Sequence, residues 1–196
     1  MQVIIMDKTL LRKKMKILRE NIPQNLRLDK SRILLSKSIE SIAYKECKKI
    51  LCFVNMGSEP NTIELLKTAL SDGKIVACPY ALPNSRIMHF IQIDSLDGMV
   101  KSPFGAYEPI FDERKTITPD NSTLIIVPAL AFDKEGYRIG YGGGYYDTYF
   151  ENNPHGYKIG IAFDEMILNH VPRETHDKPI DMLITDKEAL IWKLYK

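Results

Sequence analysis

The sequence predicts an α/β protein built on a mainly parallel sheet. Three features carry that expectation. From residue 48 to residue 80 an apolar run, a loop, an amphipathic helix and a second apolar run follow one another, the order a parallel pair with a crossover requires. Residues 124–132, LIIVPALAF, are the most apolar stretch of the chain and suit a central strand covered on both faces. Near the C-terminus YKIGIAF, DMLIT and ALIWKL supply further short strands.

Taken in order, DKTLLRKKMKILREN reads as a helix. Asp7 is its N-cap, and Leu11, Met15, Leu18 and Ile22 recur at helical spacing. Its other side carries Lys8, Arg12 and Lys16 at four-residue intervals, a single basic stripe. A second helix is expected over residues 29–44, then a buried strand in KKILCFVNM and a loop at GSEP. NTIELLKTALSDGK begins with a capping pattern, Asn61 followed by Glu64, and stops at Gly73. KIVACPY is the next strand. RIMHFIQI alternates polar and apolar residues, as a strand with one exposed face should. Residues 96–118 are rich in Pro and Gly and are expected to cross the surface. Without repeats or a linker, residues 1–196 read as a single domain.

Composition narrows the function classes. A net charge of +2 is too small to advertise nucleic-acid or membrane binding over the whole surface, so any electrostatic role must be local. No apolar run reaches membrane-spanning length, and the N-terminal MQVIIMDKTLLRKK has too short an apolar stretch and the wrong order of charge for a signal peptide. Cys47, Cys52 and Cys78 form no CxxC pair, and the last two sit inside apolar runs, which fits a reduced, cytoplasmic setting. The expected form is a monomer acting on small molecules, with no nucleic-acid or membrane partner.

One stretch departs from ordinary composition. GYRIGYGGGYYDTYF, residues 136–150, holds five of the eleven glycines and five of the ten tyrosines. Clustered glycine means either positive φ or close approach to the main chain. A glycine-rich turn between an apolar strand and a helix starting near Tyr145 can present amides to a phosphate. There is no GK[ST], and a GxGxxG from Gly140 would need glycine where Tyr145 stands, so neither standard fingerprint fits and a tight structural turn stays open. Arg138 adds a planar cationic fork, Asp147 a hard carboxylate of the kind Mg²⁺ prefers, and the tyrosines faces for a flat heteroaromatic ring. Together these favour a nucleotide site.

VPALAFDKEGYRIGYGGGYYDTYF closely resembles the signature of the 5-formyltetrahydrofolate cyclo-ligases: an apolar P-x-[LV]-x-F-D, a Gly-x-Arg-[LI]-Gly, then Gly-x-Gly-Gly-Tyr-Tyr-Asp. FVNMGSEPNT resembles the family's substrate loop, and FGAYEP and VPRETHDKPIDMLIT two further family segments. Lys8 and Arg12 keep a Lys-x-x-x-Arg pair. Gly143 stands where some members have lysine, and Thr148 replaces the usual arginine or alanine.

The resemblance implies an enzyme that uses ATP and Mg²⁺ to convert 5-formyltetrahydrofolate to 5,10-methenyltetrahydrofolate, releasing ADP and phosphate. It implies a three-layer α/β/α fold like that of coenzyme A transferase-like domains. It places ATP on Lys8, Thr9, Leu10, Leu11 and Arg12, and on Arg138, Ile139, Gly140, Tyr141, Gly142, Gly143, Gly144, Tyr145 and Tyr146. The folate falls to Val54 and Glu59, with Tyr141, Gly142, Gly143, Gly144 and Tyr145 shared. Arg138 and Tyr145 stand at the reaction itself, and Asp147 and Asp181 are the implied Mg²⁺ ligands.

Phosphoryl transfer demands positioning and charge stabilisation more than acid–base work, which suits a chain offering cations, glycine amides and carboxylates without a nucleophile beside a base. Two other classes have some support in the sequence. Glu174, His176 and Asp177 hint at a transition-metal hydrolase, but His170 and His176 lie six apart across Pro172 and make no one-face helical pair. A lysine-rich helix with exposed tyrosines could hold single-stranded nucleic acid, against which stand the near-neutral charge and the lack of a continuous basic-aromatic pattern.

Overall fold

A computed structural model describes residues 7–195. The N-terminal reading falls partly on residues 1–6, which lie outside the described residues. The elements run α1 (Lys8–Glu20), α2 (Gln24–Glu40), α3 (Ile42–Glu46), β1 (Lys49–Cys52), α4 (Ile63–Ser71), β2 (Ile75–Ala81) and β3 (Met88–Ile93). After them come β4 (Val100–Lys101), β5 (Tyr107–Glu108), β6 (Thr123–Val127), β7 (Ala131–Asp133), β8 (Arg138–Ile139) and α5 (Tyr145–Asn152). The chain closes with β9 (Tyr157–Ala162), β10 (Ile167–Leu168), β11 (Met182–Thr185) and β12 (Ala189–Ile191).

Seven strands form the main sheet in the order β12-β11-β9-β6-β1-β2-β3. The five inner strands pair in parallel, and β3 and β12 close the edges antiparallel. β6 lies at the centre, as its composition predicts. All five of its residues are buried, and since alternate side chains point to opposite faces, both faces of the sheet are covered. The result is the helix–sheet–helix layering expected of an α/β chain.

Several boundaries differ from the sequence expectation for local reasons. The second helix begins five residues earlier, just after Pro23, and breaks at Ser41, whose extended backbone and hydroxyl cap α3 through the Tyr44 amide. The first strand stops at Cys52, and ALIWKL contributes only Ala189–Ile191. No capping box forms at α4. Asn61 Oδ1 accepts from the Ile63 amide, while Glu64 pairs with Lys67. Gly73 ends that region with φ +72°, as read. Residues 96–118 carry only the β4–β5 ribbon and a short 3-10 turn.

On α1, Asp7 caps the helix by accepting from the Thr9 amide, and Leu11, Met15 and Ile22 are buried. Leu18 is not; it is 40% exposed, and Arg19 takes the core-facing position instead. Residues 11, 15, 19 and 22 share one helix face, so the inward stripe passes through an arginine. The three cysteines are buried free thiols; burial raises Cys52 well above its ordinary range and pushes Cys78 up to about 12.

Candidate active site

After β1 the chain turns through α4 to β2, toward one edge of the sheet. After β6, β1's other parallel neighbour, it passes through α5 to β9, toward the other edge. This is a topological switch point, where open α/β sheets form a crevice beyond the C-terminal ends of their strands. The loop after β1 carries Glu59. The chain after β6 carries Arg138 and the glycine cluster.

Asp133, fully buried at the end of β7, organises the second lip. Its Oδ1 accepts from the amides of Glu135 and Tyr137 at 2.9 and 3.0 Å, closing the turn to β8. Its Oδ2 accepts from the Val171 amide and Arg173 Nη2 at 3.0 and 2.9 Å, bringing residues 171–178 alongside. β8 then aims Arg138 across that segment. Arg138 donates to Asp147 Oδ1 and to the Lys178 carbonyl, both at 2.7 Å, and lies over the Phe150 ring. Burial pulls its pKa down, and Asp147 opposes that.

Gly142 and Gly144 adopt φ of +104° and +71°, and Gly144 is the left-handed N-cap of α5. At these positions the requirement for glycine is backbone conformation. Gly140 has open space where a side chain would go, and at Gly143 a Cβ would sit 2.8 Å from the Tyr145 ring. Arg12 reaches across from α1: its Nε donates to the Gly140 carbonyl at 3.0 Å, and its guanidinium lies 3.5 Å from where a Gly142 Cβ would be.

The basic stripe of α1 therefore divides. Lys8 pairs with Glu174 and Asp177 at 3.0 Å, Arg12 meets the glycine loop, and Lys16 points to solvent beside Glu20. Burial lowers the Lys8 pKa, but its two carboxylates outweigh that and raise it overall; Asp177, where burial works the other way, is held low by the Glu174 amide and Lys8. Of the other N-terminal candidates, Thr9 adjoins the cap, Leu10 is 61% exposed and Leu11 is core.

On the opposite lip Val54 is buried near the end of β1 and Glu59 is 6% exposed. Glu59 Oε2 accepts from the Met56 amide at 2.7 Å, and its Oε1 accepts a short hydrogen bond from the Tyr141 hydroxyl. Burial raises the Glu59 pKa, with Tyr141, the Met56 amide and Arg19 pulling against it. Burial raises Tyr141 too, reinforced by Glu59. Tyr141 is nevertheless 45% exposed as a residue, so its hydroxyl is held inside while part of the ring faces solvent. Tyr145 meets the edge of Phe104 at 5.8 Å, and Tyr146 is packed between Phe90 and Phe150 with its buried hydroxyl unpartnered among the described residues.

A model of the 5-formyltetrahydrofolate cyclo-ligase family matches residues 4–186. The chain belongs to that family. A probable 5-formyltetrahydrofolate cyclo-ligase of Schizosaccharomyces pombe is 30% identical over 83% of this chain and 87% of its own length. The 5-formyltetrahydrofolate cyclo-ligase of Mus musculus is 29% identical over 81% and 83%. The solved structure of Aquifex aeolicus 5,10-methenyltetrahydrofolate synthetase superposes with a TM-score of 0.82 at 28% identity, covering 96% of this chain and 94% of that one. The cyclo-ligase reaction, and that of this chain, turns 5-formyltetrahydrofolate into 5,10-methenyltetrahydrofolate, with ATP as the family's cosubstrate. Among the described residues no helix is long and apolar enough to cross a membrane.

Within the cyclo-ligase frame the structure links Lys8, Arg12, Arg138, Asp147 and Glu59 to one another and to the glycine loop through a chain of contacts. Asp181 has other partners: Oδ2 accepts from the Lys158 amide at 2.8 Å, and the carboxylate lies near the Lys158 and Lys193 ammonium groups, bracing β9 against the C-terminal strand. Asp177 braces its own turn, its Oδ2 accepting from the Glu174 amide at 2.7 Å, and also pairs with Lys8, one residue before the Lys178 amide that reaches Asp147. Arg19 and Phe104 were missed. For Arg19 the signal existed in its spacing of four from Met15 and eight from Leu11.

Proposed function

We propose that the chain is an ATP- and Mg²⁺-dependent 5-formyltetrahydrofolate cyclo-ligase, a single-domain monomer of the cytoplasm. One observation carries the site assignment: the glycine loop is bonded from both sides, by Arg12 at Gly140 and by Glu59 at Tyr141. A single loop thus floors a cationic lip and a carboxylate lip.

The formyl oxygen of an amide is a weak nucleophile attached to a carbon that will not readily lose it. In the proposed sequence that oxygen attacks the γ-phosphorus and ADP departs. Nitrogen 10 then attacks the activated formyl carbon, the C–O bond breaks, and phosphate leaves with the former formyl oxygen while the nitrogen 10 proton passes to solvent. Lys8, Arg12 and Arg138, with the amides of residues 140–144, hold the phosphates and share the developing charge. Tyr145, behind the loop and against Phe104, closes the reacting groups from water. Glu59 accepts from the pterin donor edge; each of its oxygens has one partner and retains acceptor capacity for an adjacent pair of N–H groups.

Mg²⁺ fits the donor set on the phosphate lip. Among the described residues no cluster of three metal-ligating side chains exists, so the ion would take most ligands from phosphate and water, as Mg²⁺ does. Asp147, whose hydrogen bonds all go to Oδ1, is the protein ligand proposed, with Asp177 the second carboxylate in place of Asp181. Bound there, the ion neutralises phosphate charge.

The test follows the formyl oxygen. With oxygen-18 in the formyl group, MgATP should yield methenyltetrahydrofolate together with labelled phosphate, and ADP should form only when folate is present. Unlabelled phosphate, or ADP formation independent of folate, would overturn this chemistry.

A further inference from the structure

Arg19 occupies a helix position whose neighbours on the same face, Leu11, Met15 and Ile22, are all core residues, and it is only 3% exposed. A buried cation is costly unless it is paired and hydrogen-bonded, so a purely structural role at this position would be met more cheaply by leucine. Its guanidinium is committed in three directions. Nε donates to Ser58 Oγ and Nη1 to the Ala129 carbonyl, each at 3.1 Å, and Nη2 donates to the Tyr141 hydroxyl at 2.5 Å. Those partners belong to the loop after β1, the chain after β6 and the glycine loop, which are the two lips of the crevice and its floor.

Arg19 makes no direct ion pair among the described residues. The anion next along its chain of hydrogen bonds is Glu59, one hydroxyl away: Tyr141 receives from Arg19 and donates to Glu59. Ser58, held by the same guanidinium, is the residue immediately before Glu59. Arg19 therefore grips Glu59 twice, through the backbone that carries it and through the hydroxyl that caps its carboxylate.

We propose that Arg19 is the positioning residue of the folate subsite, locking the Glu59 carboxylate and the Tyr141 ring into one unit that joins the folate lip to the phosphate-binding loop. The inference rests on the reading of Glu59 as the pterin acceptor. Arg19 does not itself touch the substrate in this account. It fixes which lone pairs Glu59 offers, because a carboxylate bound on one oxygen by Tyr141 and on the other by the Met56 amide cannot swing.

Steady-state kinetics of Glu59→Gln, Tyr141→Phe and Arg19→Met, alone and combined, test it. Tyr141→Phe keeps the ring and the buried arginine and cuts only the relay, so it remains informative if Arg19→Met does not fold. Tyr141→Phe and Arg19→Met should each raise KM for 5-formyltetrahydrofolate by roughly tenfold, leaving KM for ATP within about twofold. In a Glu59→Gln background neither should raise the folate KM further, because residues acting as one unit are non-additive. If Glu59→Gln raises the folate KM while Tyr141→Phe leaves it unchanged or adds to it in full, the role of Arg19 is overturned and the reading of Glu59 survives. If Glu59→Gln itself leaves the folate KM unchanged, that reading falls and this one with it.

Discussion

On the proposed folate lip the charged groups are buried and joined through neutral hydroxyls and amides, whereas on the proposed phosphate lip cations and carboxylates are paired directly with each other. Glu59 is held by Tyr141 and the Met56 amide, with Arg19 behind them. Across the loop, Arg138 pairs with Asp147 at 2.7 Å and Lys8 with Asp177 at 3.0 Å. On the function proposed above, the difference matches two kinds of ligand. A neutral pterin edge needs an acceptor already fixed in place. A triphosphate with its metal brings charge of both signs, so each cation can exchange a carboxylate for phosphate while each carboxylate exchanges a cation for Mg²⁺. Charges paired across the lip keep buried ions compensated until that exchange.

The largest expected effects lie on the phosphate lip. Asp147→Asn should lower turnover by about two to three orders of magnitude and blunt its dependence on Mg²⁺, because a neutral amide is a poor ligand for a hard dication. Arg138→Lys should cost roughly a hundredfold in kcat. It should also lower stability by about 1–2 kcal/mol, since lysine cannot serve Asp147 and the Lys178 carbonyl while lying flat on Phe150. Denaturant unfolding beside kinetics separates the two effects. An active, stable lysine variant would break the comparison on this side.

The loop between the lips gives a sharper, smaller contrast. Gly142→Ala forces a side chain onto φ +104°, for about 1–3 kcal/mol of strain, though the nearest atoms stand at ordinary contact distance. Gly140→Ala meets neither positive φ nor a neighbour and should be close to neutral in stability. Equal losses at both positions would mean that space, and not backbone conformation, governs the loop.

The folate lip should show itself in pH dependence. Burial raises the Glu59 pKa from its ordinary value, against the pull of Tyr141, the Met56 amide and Arg19. Protonation removes the acceptor, so kcat/KM for folate should fall as pH drops through that raised value, and Glu59→Gln should abolish this limb. Stability runs the opposite way: ionising a carboxyl whose folded pKa is raised weakens the fold, so this contribution is lost as pH rises from the unfolded pKa through the folded one. The least effect is expected at Lys16, whose exposed pairing with Glu20 is worth little; Lys16→Ala should leave both KM values alone where Lys8→Ala raises that for ATP.

Much of this architecture was legible. The crossover between β1 and β2, the centrality of β6 and the start of α5 at Tyr145 follow from apolar runs, Gly73 and the glycine cluster. The pairing of Arg138 with Asp147 was legible because the two stand nine residues apart, across the glycine cluster. On the other lip the resemblance supplies Val54, Glu59 and Tyr141, but the link Arg19 makes between them was not legible. Arg19, Glu59 and Tyr141 are separated by 40 or more residues, and Arg19 contradicts the apolar pattern around it, so periodicity selected Leu18. Asp181 and Asp177 show the same boundary. Both lie in one loop-rich segment, and only tertiary packing decides which carboxylate turns toward Lys8 and which braces β9.

On the proposed function one glycine loop serves two ligands from opposite lips. Calorimetric titration of wild type, Glu59→Gln, Asp147→Asn and Gly142→Ala, with 5-formyltetrahydrofolate and separately with a non-hydrolysable MgATP analogue, tests it most directly. Glu59→Gln should lose affinity for folate alone, Asp147→Asn for the nucleotide alone, and Gly142→Ala for both. A folded Gly142→Ala protein that binds either ligand like wild type, or single-lip variants that weaken both ligands equally, would contradict it.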